Sequence, residues 1–186
     1  VLEMLLRHTR LGPRMARLLA QDTLSEEQLQ RFCVLAALHD AGKTNRGFQR
    51  RKLEGAPKIG HVGPIVALLY GKRNPALLAD ALRLEPIYKW FGEDWEQMRQ
   101  WLQATWSHHG APVLDPTEPA DVWTDDALTD LSRMSEWARE WFPKAFQANP
   151  STWTAKAQHL FNGVLTLSDW VASDRDLLKW TPDRTD

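Results

Sequence analysis

Apolar residues recur at helical spacing along nearly the whole chain. Residues 2–20 carry Leu2, Leu5, Leu6, Met15, Leu18 and Leu19, with Gly12-Pro13 expected to break or kink the stretch. Ser25-Glu26-Glu27-Gln28 is a capping-box start, Ser followed by Gln three residues on, and opens a helix that runs into His39-Asp40. Gly42 is expected to mark the end of that helix. A third helix is predicted over 60–71, stopped by Gly71, and Pro75 begins a short fourth. Trp95, Met98, Leu102 and Trp106 predict a helix opening at Asp94 and stopping at His108-His109-Gly110. Residues 111–122, rich in proline and acids, read as a surface loop. Leu128, Leu131, Met134, Ala138 and Trp141 predict an amphipathic helix over 124–142, and a last helix spans 151–173. No alternating strand pattern, repeat or low-complexity tract competes. The expected architecture is all-α, a single helical domain over 1–186.

Composition adds boundaries. Of the 186 residues 43% are apolar, enough for a substantial core, and no apolar run approaches the ~20 residues of a membrane span. The one cysteine, Cys33, excludes a disulfide framework, and its apolar surroundings make it a buried, inert thiol. A reducing cytoplasm is the expected compartment. The formal net charge of −1 hides an asymmetry: residues 1–73 carry 13 basic against 6 acidic side chains, and the remainder is net −8. A basic half can attract a polyanion, although two solvated faces of opposite sign would give the same count. The chain opens on Val1 and not on Met, so excision from a longer protein with further domains is a live expectation.

The chemistry concentrates in histidine. Of six histidines, His39 closes the second helix, His61 opens the third, and His108-His109 close the next. Helix ends can aim several side chains at one point, which mid-helix residues of one helix cannot. A donor set rich in imidazole with few carboxylates suits iron, manganese, nickel, cobalt or zinc better than magnesium alone. Gly42-Lys43-Thr44 imitates the tail of a phosphate-binding loop, but the glycine that loop needs five residues earlier is Ala37, and the segment follows a helix, so no ATPase is encoded here.

His39-Asp40-Ala41-Gly42-Lys43 followed by Phe48-Gln49 resembles the signature of the HD nuclease domain of type I CRISPR-associated nuclease–helicases. Gly60-His61, Ser107-His108-His109-Gly110 and the run Leu167 to Asp174 match the later family motifs in order, so the resemblance covers residues 8–174. It implies an HD-domain helical bundle with metal ligands at helix ends. His8, His39, Asp40 and Asp169 would form a first metal site, and Asp40 would bridge to a second ion held by His61, His108 and His109. Two divalent transition-metal ions sharing a carboxylate, ~3.5–4 Å apart, suit in-line phosphodiester cleavage. Asp40 and Lys43 would be the catalytic residues, Lys43 neutralising the pentacoordinate phosphorus; a helix-terminal lysine favoured by the dipole is the plain alternative.

The resemblance further implies a DNA endonuclease or exonuclease of CRISPR interference that prefers single-stranded DNA, with a helicase domain or subunit and an RNA-guided surveillance complex as partners and no membrane. Arg46, Arg50, Arg51 and Lys52 follow Lys43 and suit phosphates flanking the cut. Trp90, Trp101 and Trp123 are the candidates for stacking on unpaired bases; Trp95, Trp106, Trp137 and Trp141 have spacings that fit packing. His159 lies ten residues before Asp169, about 15 Å along one helix, and is left out of the cluster. Two features depart from the family pattern: Val62-Gly63-Pro64 after His61, and Gly12-Pro13 just past His8. Alternative readings are an HD phosphohydrolase acting on nucleotides or cyclic nucleotides, and a degenerate HD module that only binds.

Overall fold

The structure is a computed structural model, and it describes residues 1–70, 75–109, 122–147 and 151–174. Among the described residues every regular element is helical. In order these are α1 (Leu2–His8), α2 (Leu11–Leu18), α3 (Glu26–Ala37), α4 (Arg46–Arg50), α5 (Val62–Leu69), α6 (Pro75–Leu82), α7 (Glu85–Trp90), α8 (Trp95–Trp106), α9 (Asp125–Trp141) and α10 (Ala155–Ser173). Short 3-10 turns at Ala41–Thr44 and Pro143–Phe146 join them.

The caps follow from side-chain chemistry. Ser25, Asp94, Thr124 and Thr154 each accept a hydrogen bond from the backbone N–H three residues on, satisfying a donor that the helix start leaves free. Thr154 also donates to the Leu18 carbonyl at 2.8 Å, so α10 begins at Ala155 and not at Ser151. The reciprocal half of the capping box at α3 is missing, because the Gln28 amide is buried without a partner.

Two further expected helix boundaries move. The first stretch breaks at Thr9-Arg10, while Gly12 and Pro13 lie inside the first turn of α2. Proline fits there because its missing N–H has no partner in a first turn. Gly12 lets α2 press on α1, since a Cβ at that position would stand 2.0 Å from the Leu6 carbonyl oxygen. The second helix ends at Ala37, so His39-Asp40 sit in a turn beyond it, and Gly42 lies in the 3-10 turn. The helices α4 and α7 were not anticipated, and most of the 111–122 loop lies outside the described residues.

α3 runs through the centre, flanked by α1, α8, α9 and the Pro143–Phe146 turn, while α10 packs on α1, α2 and α8. Phe32 anchors the interior, with ring centroids 5.4 Å from Phe161, 5.6 Å from Trp153 and 6.0 Å from Trp101. Arg31 is buried beside this core and donates to the carbonyls of Ala145 and Gln147, which ties α3 to the segment after α9. These contacts leave the C-terminal end of α3 facing the start of α5, the end of α8 and the last turns of α10.

Candidate metal centre

His39 and Asp40 occupy the turn between α3 and the Ala41–Thr44 turn. Trp106 holds this turn from below, its Nε1 donating to the Leu38 carbonyl at 2.9 Å. Asn45, fully buried, donates to the carbonyls of Gly42 and Gly60 and accepts from the Phe48 N–H. One side chain thereby fixes the Lys43 turn, the start of α4 and the approach to His61. A Cβ on Gly42 would stand 2.1 Å from the His61 carbonyl oxygen, so only glycine lets these two segments meet. Sequence reasoning missed Asn45, although an Asn three residues before Phe48 is an N-cap pattern.

The ring orientations are set by backbone carbonyls. His39 Nδ1 lies 2.6 Å from the Ala36 carbonyl, and His108 Nδ1 lies 3.2 Å from that of Thr105. With those protons on Nδ1, each Nε2 presents a lone pair. Thr166 of α10 donates to the His108 carbonyl at 2.8 Å and steadies the end of α8. Phe48 and His61 pack edge to face at 5.3 Å between centroids, and the Arg51 guanidinium covers Phe48 at 3.3 Å.

These supports bring six of the seven expected ligands together. The donor atoms of His61, His108 and His109 lie within 4.8 Å of one another, and so do those of His39, His108 and Asp169. Asp40 stands between the two groups, with Oδ2 3.3 Å from His39 Nε2 and Oδ1 3.6 Å from His61 Nε2. Asp169 Oδ1 lies 3.6 Å from His39 Nε2, and the Nε2 atoms of His61 and His109 are 3.3 Å apart. His39 Nε2, Asp40 Oδ1 and His108 Nε2 are buried without a hydrogen-bond partner. Buried polar atoms are rarely left so, and three that converge on two imidazole-rich groups fit divalent metal ions.

The electrostatics agree with that fit. Burial pushes His61 down to about 4 and also lowers His108, so both rings are neutral, as ligands must be. Burial opposes charge on His39 too, but the adjacent Asp40 carboxylate, the Ala36 carbonyl and Asp169 outweigh it and raise its pKa. Burial would raise the Asp40 carboxyl, yet His39 and the Lys43 ammonium, 2.5 Å from Oδ2, hold it well below the usual carboxylate range.

His8 is placed elsewhere. It is exposed at the C-terminal end of α1, beside a hollow lined by Asp22, Thr23 and Glu26, and its neighbour Arg7 pairs with Glu26 at 2.6 Å. Glu26 begins α3 and His39 lies beyond its other end, about 20 Å away at ~1.5 Å per residue. The break at Thr9 leaves His8 at that far end. His159 is also outside the cluster, exposed beside Gln158 and Asn162.

Arg46, Arg50, Arg51 and Lys52 are exposed on and just after α4. Arg46 makes a loose pair with Asp126 at 3.6 Å, and its backbone N–H donates to the Val122 carbonyl. The tryptophans divide differently from the sequence expectation. Trp90 and Trp101 are core residues, 2% exposed, and Trp123 is half-buried, whereas Trp137 and Trp141 are 51% and 62% exposed. Their four-residue spacing puts both on one face of α9, but that face lies beside the Leu131–Ala138 stripe that enters the core.

Cys33 is buried and its thiol is pushed up to about 12 by desolvation, which leaves it unreactive. No helix among the described residues is long and apolar enough to cross a membrane.

Comparison with protein-family models returns one described as Cas3, HD domain, matching residues 1–178. No curated protein and no solved structure matches the chain.

Proposed function

The chain belongs to the Cas3 HD-domain family, metal-dependent nucleases of CRISPR systems, and from that membership we propose that it hydrolyses DNA phosphodiester bonds by a two-metal-ion mechanism, preferring single-stranded DNA. The observation that carries this reading is the placement of Asp40, which turns one oxygen to the His39 side and the other to the His61 side. His39, Asp169 and Oδ2 of Asp40 would hold one ion; His61, His109 and Oδ1 would hold the other. His108 lies within reach of both groups but has one free ring nitrogen, so it serves one of them. His8, exposed at the other end of α3, is left out of both sets in this reading.

When bound, the ions supply Lewis acidity, lowering the pKa of water and offsetting charge on the phosphoryl oxygens. The protein's residues do the rest. The Ala36 and Thr105 carbonyls fix two imidazoles in the tautomer that leaves Nε2 free. Lys43 rests on Asp40 Oδ2 from a flexible, 43% exposed stem, from which its ammonium reaches a non-bridging oxygen of a phosphate at the centre. There it neutralises the charge that grows as phosphorus becomes pentacoordinate. Arg46, Arg50, Arg51 and Lys52 hold phosphates on either side of the cut, contacts that position a strand without reading its sequence. Iron, manganese, nickel, cobalt and zinc all suit the donors. A helicase domain or subunit, recruited with an RNA-guided surveillance complex, would deliver the single strand.

The test is direct. Purified chain loaded with each of these metals is incubated with circular single-stranded DNA and, separately, with nucleotides and cyclic nucleotides. Opening of the circle supports the proposal; turnover of nucleotides with intact circles would replace it with a phosphohydrolase. Failure to retain any transition metal would leave a binding module.

A further inference from the structure

An apolar groove adjoins the metal centre, formed where the start of α1, the end of α3, the end of α9 and the last turns of α10 meet. It encloses about 280 Å³. His39 and Asp169 stand in its wall, Ala37 and Leu165 contribute apolar surface, and Trp141 and Phe142 form its aromatic side. We propose that this groove holds a nucleobase of the strand being cut, stacked on Trp141, next to the phosphate at the metal centre. The proposal rests on reading the site as one that takes a nucleic-acid strand.

The occupant follows from the two halves of the site. A nucleotide is anionic at its phosphate and flat and apolar at its base. The groove is continuous with the donors of His39 and Asp169, so a strand whose phosphate sits there carries a neighbouring base directly past the opening. The volume lies just below the ~300 Å³ at which ordinary ligand pockets begin, room for one base and not for a run of them. The Trp141 indole is 62% exposed, an open stacking face, and Trp137 lies nearly parallel beside it at 6.4 Å between centroids.

Two polar side chains of the groove are engaged within the fold. Ser168 donates to the Val164 carbonyl at 2.7 Å, and Glu3 pairs with Arg7 at 2.8 Å. The lining is otherwise mostly apolar, so the groove takes a base by stacking, as a cutter without sequence preference requires.

The experiment compares two short strands with phosphorothioate backbones, one of thymidine and one wholly abasic, binding to the manganese-loaded chain by fluorescence anisotropy. Wild type is expected to prefer the thymidine strand by roughly 5- to 100-fold, the range for one base–aromatic stack. Trp141→Ala should abolish that preference while leaving abasic-strand affinity unchanged, and Trp141→Phe should keep part of it. Ala172→Trp, which fills the groove from its exposed rim, should also abolish it. Retention of the preference in Trp141→Ala overturns the assignment. Equal binding of both strands by wild type overturns it as well, and would give the groove to an apolar protein contact. Cutting of circular DNA is scored separately. Base preference without cutting leaves the groove standing and removes the nuclease reading, and cutting without base preference does the reverse.

Discussion

Gly42 and His61 meet so closely that a single added carbon would collide: a Cβ at position 42 would lie 2.1 Å from the His61 carbonyl oxygen and 3.1 Å from Ile65 Cγ2. The glycine of the His-Asp-x-Gly-Lys run is there for close approach and not to end a helix, since α3 has already ended at Ala37. Gly42→Ala must push the Lys43 turn and the start of α5 apart, because backbone cannot swing aside as a side chain can. The expected result is a melting temperature lowered by several degrees and loss of metal from the His61 group, read by elemental analysis. An unchanged metal content would show that the two segments are not rigidly coupled.

How much of this was legible from the sequence depends on what carried each signal. The helix starts at Ser25, Asp94 and Thr124 are local chemistry and were readable. The meeting of His39, Asp40, His61, His108, His109 and Asp169 at one place was readable too, because motif order survives whatever the loops do. The placement of His8 was not readable. It depends on a chain break at Thr9, where neither glycine nor proline marks the site, while the marked Gly12-Pro13 fits inside a helix start. The tryptophans failed for a different reason. A four-residue spacing says that Trp137 and Trp141 share a face of α9, but only the packing of α9 on α3 and α6 decides that this face is open. Asn45 could have been found as a cap, but its reach to Gly60 joins segments fifteen residues apart.

Asp40 and Lys43 touch, yet their variants should separate. Asp40→Ala removes the oxygen facing each histidine group, so bound metal and cutting should fall together, cutting by at least about 100-fold. Lys43→Ala leaves every donor in place and removes only the ammonium. Its turnover should fall by roughly 100- to 1,000-fold, the scale of losing one transition-state donor, with metal content unchanged. If Lys43→Ala also loses metal, its role is to hold Asp40 in position and not to meet the phosphate.

His8→Ala distinguishes the structure from the family expectation. With His8 exposed at the far end of α3, the variant should bind as much metal as wild type and cut as fast, and stability should change by no more than about 0.5 kcal/mol, as for ordinary surface sites. Metal stoichiometry is the deciding measurement. A drop of one ion per chain would mean that α1 reorganises to bring His8 to His39 when metal binds.

Acid should weaken the metal-free fold before it reaches the carboxylates. Burial holds His61 near 4 and lowers His108, whereas both titrate near 6.5 in the unfolded chain. Below pH 6.5 the unfolded chain therefore binds protons that the fold refuses, and stability falls as pH drops toward 4. His39 works in the opposite sense: its raised pKa contributes stability that is full below 6.5 and is lost as pH rises through the folded value. Asp40, with its pKa lowered, contributes stability above 3.8 that is lost only below that. From pH 7 to pH 5 two depressed histidines thus oppose one raised histidine, and His61 alone represents about 2 kcal/mol at ~1.4 kcal/mol per pK unit. Melting in chelator should fall by several degrees over this interval. Metal retention should fall more steeply, because each ligand imidazole must lose its proton to bind. A melting temperature that holds level from pH 7 to pH 5 would mean that solvent reaches His61 and His108 freely, and their burial would then not be what keeps them neutral.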